Sequence, residues 1–318
     1  MTTLYRLLAA LLVALLAGGV GALPAFADPP AVPDDAGELV GAAFDSSSGT
    51  IWLAGGRADD GVLVGVSDDG AQVEISFGEG LVSVQALAFH DGRIYVGDVG
   101  DPQGERDLVV VYRLAAAEPG RQAYQAFDFA FPDGPRNATA MLVSGRGRIY
   151  LITDGEAPGI YAASQDPTRT EVNALTRVAD APVGVTDGAF LDDGSTMALR
   201  TAQGIQVIDA FTWETRAIET LVGAAGGEVL AALPGDELLV GSAAGLRQSS
   251  APTQDVTTTI DAGEPGAEAQ ASPGATASAS ADASPNSSAP ARTGTLVAVL
   301  LAVLVAVGAG VATLLWRD

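Results

Sequence analysis

A four-strand pattern that returns five times between residues 28 and 261 predicts an all-β, five-bladed β-propeller. Two further observations agree with it. Asp-Gly and other Gly-containing pairs stand where tight hairpins are needed. The body also has the length that five blades of about 45 residues require.

The second strand of each unit is the clearest element. A tight polar turn leads into GTIWLAG (49–55), GRIYVGD (92–98), GRIYLIT (147–153), STMALRT (195–201) and DELLVGS (236–242). With Trp52, Tyr95, Tyr150, Ala198 and Leu239 taken as equivalent, the spacings are 43, 55, 48 and 41 residues. Each run is preceded by an apolar strand: ELVGAAF (38–44), VQALAFH (84–90), ATAMLVS (138–144), VTDGAFL (185–191) and GEVLAAL (227–233). Asp91-Gly92, Asp193-Gly194 and Pro234-Gly235 join first and second strands with pairs whose glycine supplies the positive φ a tight hairpin needs. Third strands follow at 61–67, 107–114, 159–164, 204–209 and 245–250. More polar fourth strands are expected at 72–77, 125–131, 171–178 and 215–221, with 255–260 closing the fifth blade. A β-sandwich is the competing architecture, but it gives no reason for one pattern to recur five times. A sixth blade would have to come from residues 28–36, which are short and Pro-rich.

Both ends of the chain read as membrane segments. Residues 4–23 are apolar with one charge, Arg6, and lead into Pro24-Ala25-Phe26-Ala27 and polar Asp28. That order predicts a secretory signal peptide over 1–27. Leu296 to Leu315 carry no charge, and at about 1.5 Å per residue they span a ~30 Å hydrocarbon core. Residues 294–318 are therefore expected to be a single-pass anchor, with the body outside the cell membrane. Between body and anchor, residues 262–293 contain no aromatic residue and no Ile, Leu, Val or Met. Such a segment cannot offset its ordering entropy, so it is expected to be a disordered Ala/Ser/Pro stalk.

Composition removes several functions. The chain has 318 residues and a formal charge of −23, with no cysteine and one histidine. Thiol chemistry, disulfides and multi-histidine metal centres are excluded. An acidic chain without lysine is also a poor partner for nucleic acid. His90 is the only imidazole base, and no G-x-S-x-G elbow accompanies it. The body's two tryptophans, Trp52 and Trp213, do not form the repeated pattern of quinone-dependent propellers.

The runs at 86–114, 131–155, 185–201 and 226–242 resemble secreted, membrane-anchored propeller proteins of actinobacteria, some of them labelled esterase-like. The most specific piece is Gly97-Asp98-Val99-Gly100-Asp101 with Arg106 shortly after it, a candidate binding loop. Its acids could bind a cation or pair with Arg106, although Asp-Gly turns more often bond their own backbone. The resemblance also implies an acid at the start of each inner strand. Glu38, Asp187 and Glu228 keep one, whereas Gln85 and Thr139 stand at the matching positions of blades 2 and 3. With Gln85 and Asn137, these three acids could hold one Ca²⁺, which takes several oxygen ligands. The competing structural role is to cap strand ends and accept N–H bonds across the channel.

Two function classes follow. A rigid disc on a stalk suits a non-enzymatic binding module that meets an envelope protein or wall polymer. The alternative is a divalent-metal-dependent hydrolase of lactonase or esterase type, with its site in the channel.

Overall fold

The structure, a computed structural model, describes residues 31–78, 80–223, 227–260 and 270–273. The predicted signal peptide, most of the stalk and the anchor lie outside the described residues. Five antiparallel sheets follow one another along the chain, and each is one blade of a β-propeller.

Inner strands are Gly41–Asp45, Val84–His90, Ala138–Val143, Val185–Phe190 and Val229–Leu233. Second strands are Thr50–Ala54, Arg93–Asp98, Ile149–Thr153, Thr196–Thr201 and Glu237–Ser242, and third strands are Val62–Val66, Val109–Leu114, Gly159–Ala162, Gly204–Asp209 and Gly245–Ser250. Each inner strand packs against the next around the ring, and the fifth packs against the first. Within a blade, alternate side chains face the two neighbouring blades, so strands buried on both faces read as continuous apolar runs. Thr50–Ala54 and Ile149–Thr153 are buried at every position. Outer strands alternate instead, as in Thr215–Val222, because they lie at the rim.

The seams carry the core. Trp52 is 1% exposed and fills the seam between blades 1 and 2 with Leu63, Ile75, Phe77 and Leu87. Phe131 meets Tyr161 edge-on at 4.9 Å between blades 2 and 3. Tyr150, Phe190 and Trp213 cluster between blades 3 and 4. At Gly41 blades 1 and 2 pack without spare room: a Cβ there would lie 2.6 Å from the Leu87 nitrogen of the next blade. The hairpin signal at Asp91-Gly92 is met, with φ of 49° and 71° and a two-residue loop joining His90 to Arg93.

Two expectations are corrected. The outer strand of blade 3 is Thr176–Asp180, later than the run 171–178 suggested. Asn173–Ala174, inside that run, instead pairs in parallel with the outer strand of blade 2, Tyr124–Ala130. Asn173 fixes this crossing by donating its amide to the carbonyls of Asp128 and Thr168. The second correction concerns blade 5, which has three strands among the described residues. Val256–Thr259, expected as its fourth strand, pairs in parallel with Thr215–Val222 of blade 4. Thr258 Oγ1 donates to Glu219 there at 2.6 Å. Within the expected stalk, Gln270–Pro273 pairs with Val256–Thr259.

Blades 1 and 5 are joined by packing. The N-terminal segment, with a 3-10 turn at Asp34–Ala36, runs into the seam. Ala36 and Leu39 are buried there with Ile51, Leu53, Val229 and Leu239, and Val32 packs against them. Hydrogen bonds to Ala36 O from Gly56 and to Ala54 O from Val40 tie the segment to blade 1. Among the described residues no helix is long and apolar enough to cross a membrane.

Candidate functional site: the propeller axis

An inner strand has a ladder partner on one side only, so its axis-facing N–H and C=O groups need partners from elsewhere. In blades 2, 3 and 4 the inner strand also carries a bulge near its start, between Val84 and Ala86, Ala138 and Ala140, and Val185 and Asp187. The bulged residues are Gln85, Thr139 and Thr186. Two of them latch onto the next blade: Thr139 Oγ1 donates to Val185 O at 2.6 Å, and Thr186 Oγ1 to Glu228 O at 2.7 Å.

This register changes the predicted ring. Asp187 pairs with Arg200 as Ala86 pairs with Gly97 and Ala140 with Ile152. Its equivalents are thus Ala86 and Ala140, while Gln85 and Thr139 match Thr186. Glu38, Asp187 and Glu228 stand at three different levels of their blades and do not converge. No group of three or more His, Asp or Glu side chains that could hold a metal occurs among the described residues.

Asp187 is completely buried. Its Oδ1 accepts the Gly188 N–H at 2.8 Å, and Oδ2 accepts those of Leu230 at 2.9 Å and Ala42 at 3.3 Å. The carboxyl therefore links the inner strands of blades 4, 5 and 1 and supplies the acceptors their channel edges lack. Burial pushes this carboxyl well above the usual range, and the three N–H donors pull the other way without overturning it.

Glu228 is consumed differently. Arg200, 0% exposed, donates Nε and Nη2 to Glu228 Oε2 at 2.9 and 2.5 Å. Arg247 adds Nη1 to Oε1 at 2.6 Å and Nη2 to Oε2 at 2.9 Å. Arg200 also donates Nη1 to the carbonyls of Gly204 and Thr201. Glu38 is exposed on the segment before blade 1.

The acidic turn is equally self-contained. Asp98 accepts from the N–H groups of Ser83 and Val82 and from Arg106 Nη1 at 2.9 Å. Asp101 accepts the N–H groups of Glu105 and Arg106 at 2.9 Å each. Asn137 Oδ1 accepts the Asp101 N–H, so it braces this turn. Arg106 further donates to Gly100 O and Asp98 O. Asp98, Asp101 and Arg106 therefore come together, with their polar atoms taken up by one another, by the Val82–Ser83 backbone and by Asn137. His90 stands at its hairpin corner, beside Gly147 of blade 3.

Beyond Asp187, toward the hairpins that join first and second strands, the axis opens into a well of about 160 Å³. All five inner strands line it, through residues such as Phe44, Ala88, Leu142, Ala189 and Ala231. Ser46 and Asp192 are the polar side chains of its lining, and Asp192 Oδ2 accepts the Gly235 N–H at 2.6 Å.

Sequence reasoning overlooked Arg200 and Arg247. The signal at Arg200 was present: a charged residue in STMALRT, where the matching strands carry Gly97 and Gly241.

No family model matches the chain, and no curated protein sequence matches it. Among solved structures it is similar to virginiamycin B lyase from Staphylococcus aureus, at 13% identity and a TM-score of 0.38, over 74% of this chain and 78% of that one. It is also similar to a gluconolactonase from Xanthomonas campestris, at 15% identity and 0.40, over 72% and 97%. A chain of a nidogen–laminin complex shows 15% identity and 0.44, over 64% and 72%. The fold assignment rests on the five sheets rather than on these distant similarities.

Proposed function

We propose that the protein is an exported, membrane-anchored propeller that binds a partner in the cell envelope, a protein or a wall polymer, and performs no hydrolysis. The axial well is the observation that carries this reading. Every blade contributes to it, and its side chains are apolar apart from Ser46 and Asp192. The inner strands also turn backbone N–H and C=O groups toward the axis, so more of its surface is polar than apolar, and the well suits one small group that both packs and hydrogen-bonds. The rest of the ligand would lie across the hairpin face. The carboxylates that a metal-dependent hydrolase would need near the axis are Asp187 and Glu228. Their oxygens already accept backbone N–H groups and two guanidinium groups, respectively. Export and anchoring follow from the signal-like and apolar ends of the sequence.

A photoreactive residue placed at Asp192 of the full chain in cells tests the reading, with one at Glu38 as the comparison. A discrete adduct from position 192 is expected, and it should disappear when Ala88→Phe fills the well. The purified full chain should hydrolyse neither lactones nor phosphate esters, with or without calcium. Calcium-dependent turnover that is lost in a folded Glu228→Gln variant would replace this reading with the hydrolase.

A further inference from the structure

We propose that a cleft between blades 2 and 3, lined by Arg93, Arg113 and Arg169, binds the phosphate group of a ligand. The cleft shares no lining residue with the axial well, so the two sites stand or fall separately.

Carboxylates far outnumber arginines in this chain, 39 to 16, and an arginine without one is therefore unexpected. Among the described residues seven arginines, from Arg57 to Arg247, pair with a carboxylate. The other six, Arg93, Arg113, Arg121, Arg146, Arg148 and Arg169, make no such pair, and all belong to blades 2 and 3 or to the links within them.

Three of these six line one cleft. Arg113, on the third strand of blade 2, stands opposite Tyr95 and Gln125. Arg93, two residues before Tyr95, faces the same way. That face meets blade 3, because Tyr95, Val111 and Phe127 pack with Met141, Leu151 and Tyr161. Blade 3 supplies Arg169 from the loop after its third strand. Asn173 Oδ1 accepts the Thr168 N–H at 2.8 Å, and the Asn173 amide donates to Asp128 O on the outer strand of blade 2. The loop is thereby tied to blade 2 next to Arg169. The cleft measures about 370 Å³ and no acid lines it, a volume in the range of about 300–1,000 Å³ that small-molecule sites occupy. Residues 80 to 223, which include both blades, are all described, so the walls of the cleft are complete.

Arg113 is the group that lacks a counter-charge. It is half-buried. It donates Nη2 to Gln125 Oε1, lies over the Phe127 ring at 5.2 Å, and has a buried Nε without an acceptor among the described residues. These partners are neutral. Burying a cation without a negative partner is costly, and Arg93 and Arg169 add like charge beside it. Asp91, Asp166 and Glu171 stand on the adjoining loops, yet none pairs with an arginine among the described residues. Arg200, in the seam between blades 4 and 5, has Glu228 for this purpose. The cleft between blades 2 and 3 has the cations without the anion.

Number and shape select the anion. Each guanidinium is a planar fork that meets two oxygens. A carboxylate has two oxygens and one charge, which a single fork satisfies. A phosphate ester has three free oxygens and up to two charges, enough to meet forks from both blades. Tyr124, 46% exposed and part of the lining, offers a ring to the group that bears the phosphate.

Phenyl phosphate is the probe, titrated by calorimetry into the full chain in detergent at low salt. Saturable binding is expected, with benzoate, the same ring on a carboxylate, at least tenfold weaker. Arg169→Gln and Arg93→Gln, both at exposed positions, should each weaken phenyl phosphate about tenfold or more, the loss of one charged hydrogen-bond partner. Arg146→Gln removes the same charge outside the cleft and should change little. Methyl phenyl phosphate identifies the source: equal binding supports a phosphodiester within a polymer, and weaker binding supports a terminal phosphate. Absence of binding at millimolar phenyl phosphate overturns the proposal. Benzoate binding as tightly, or equal weakening by Arg146→Gln, would reduce the interaction to general charge attraction and overturn it too. Binding that appears only after Asp261→Asn, Glu264→Gln and Glu268→Gln would give the cleft to the chain's own acidic segment, which is also a refutation.

Discussion

Replacing Glu228 by Gln keeps the shape of the side chain and removes the charge that two arginines share. The carboxylate accepts four hydrogen bonds, two from buried Arg200 and two from Arg247. The amide retains one acceptor oxygen and turns an NH₂ toward a guanidinium, so about half of this set is lost. Hydrogen bonds to charged groups are worth about 1.5–3 kcal/mol each. Breaking a buried pair from one side costs about 3–5 kcal/mol, because the remaining charge stays buried. The two routes give losses of about 3–6 and about 3–5 kcal/mol. Urea unfolding followed by the fluorescence of Trp52, buried between blades 1 and 2, and of Trp213, half-buried between blades 3 and 4, would measure it. Burial alone would raise the Glu228 carboxyl, but the hydrogen bonds and charges of Arg247 and Arg200 outweigh it and hold it below 4.5. A carboxyl held low stabilises the fold above its unfolded pKa, and that contribution fades as pH falls through the lower folded value. The difference between wild type and variant should therefore be full near neutral pH and shrink below about 4.5. A loss under about 1 kcal/mol at neutral pH, the range of an exposed pair, would refute the buried network.

Other perturbations probe the rest of the molecule. Asp187→Asn should destabilise the fold, since its NH₂ must face an N–H donor, and urea midpoints would show it. Because burial raises the Asp187 carboxyl, wild type loses stability as pH rises from 3.8 through the folded value, so the deficit of the variant should be largest near pH 4 and smaller at neutral pH. Thr258→Val removes the donor to buried Glu219 and should cost about 1.5–3 kcal/mol in the same assay. Gly41→Ala would force blades 1 and 2 apart where Gly41 meets the Ala86–Leu87 backbone. A lowered melting temperature without loss of β-sheet circular dichroism is the expected result.

The blades were legible because each must present a half-polar rim and two buried faces, and that requirement repeats in the sequence. The level of each inner-strand residue was not. A bulge adds one residue without changing composition, so Asp187 looked equivalent to Gln85 and Thr139 when its equivalents are Ala86 and Ala140. The run 255–260 has strand composition, but composition does not choose between a fourth antiparallel strand and a parallel bridge to the neighbouring blade. Asp101 was readable as a turn residue, because Asp near Gly commonly bonds its own backbone, whereas Asp98 accepts the N–H groups of Val82 and Ser83 from the loop before its blade. Arg200 illustrates the reverse error. One charge inside an apolar strand marks a buried ion pair, yet its partner Glu228 could be assigned only once blades 4 and 5 were side by side.

Calcium binding tests the central claim most directly, since that claim holds that the channel acids are spent on the fold. The melting temperature of the full chain should be the same in millimolar calcium and in chelator. A calcium-dependent rise that disappears in Asp187→Asn or Glu228→Gln would contradict the account and return these carboxylates to a metal site.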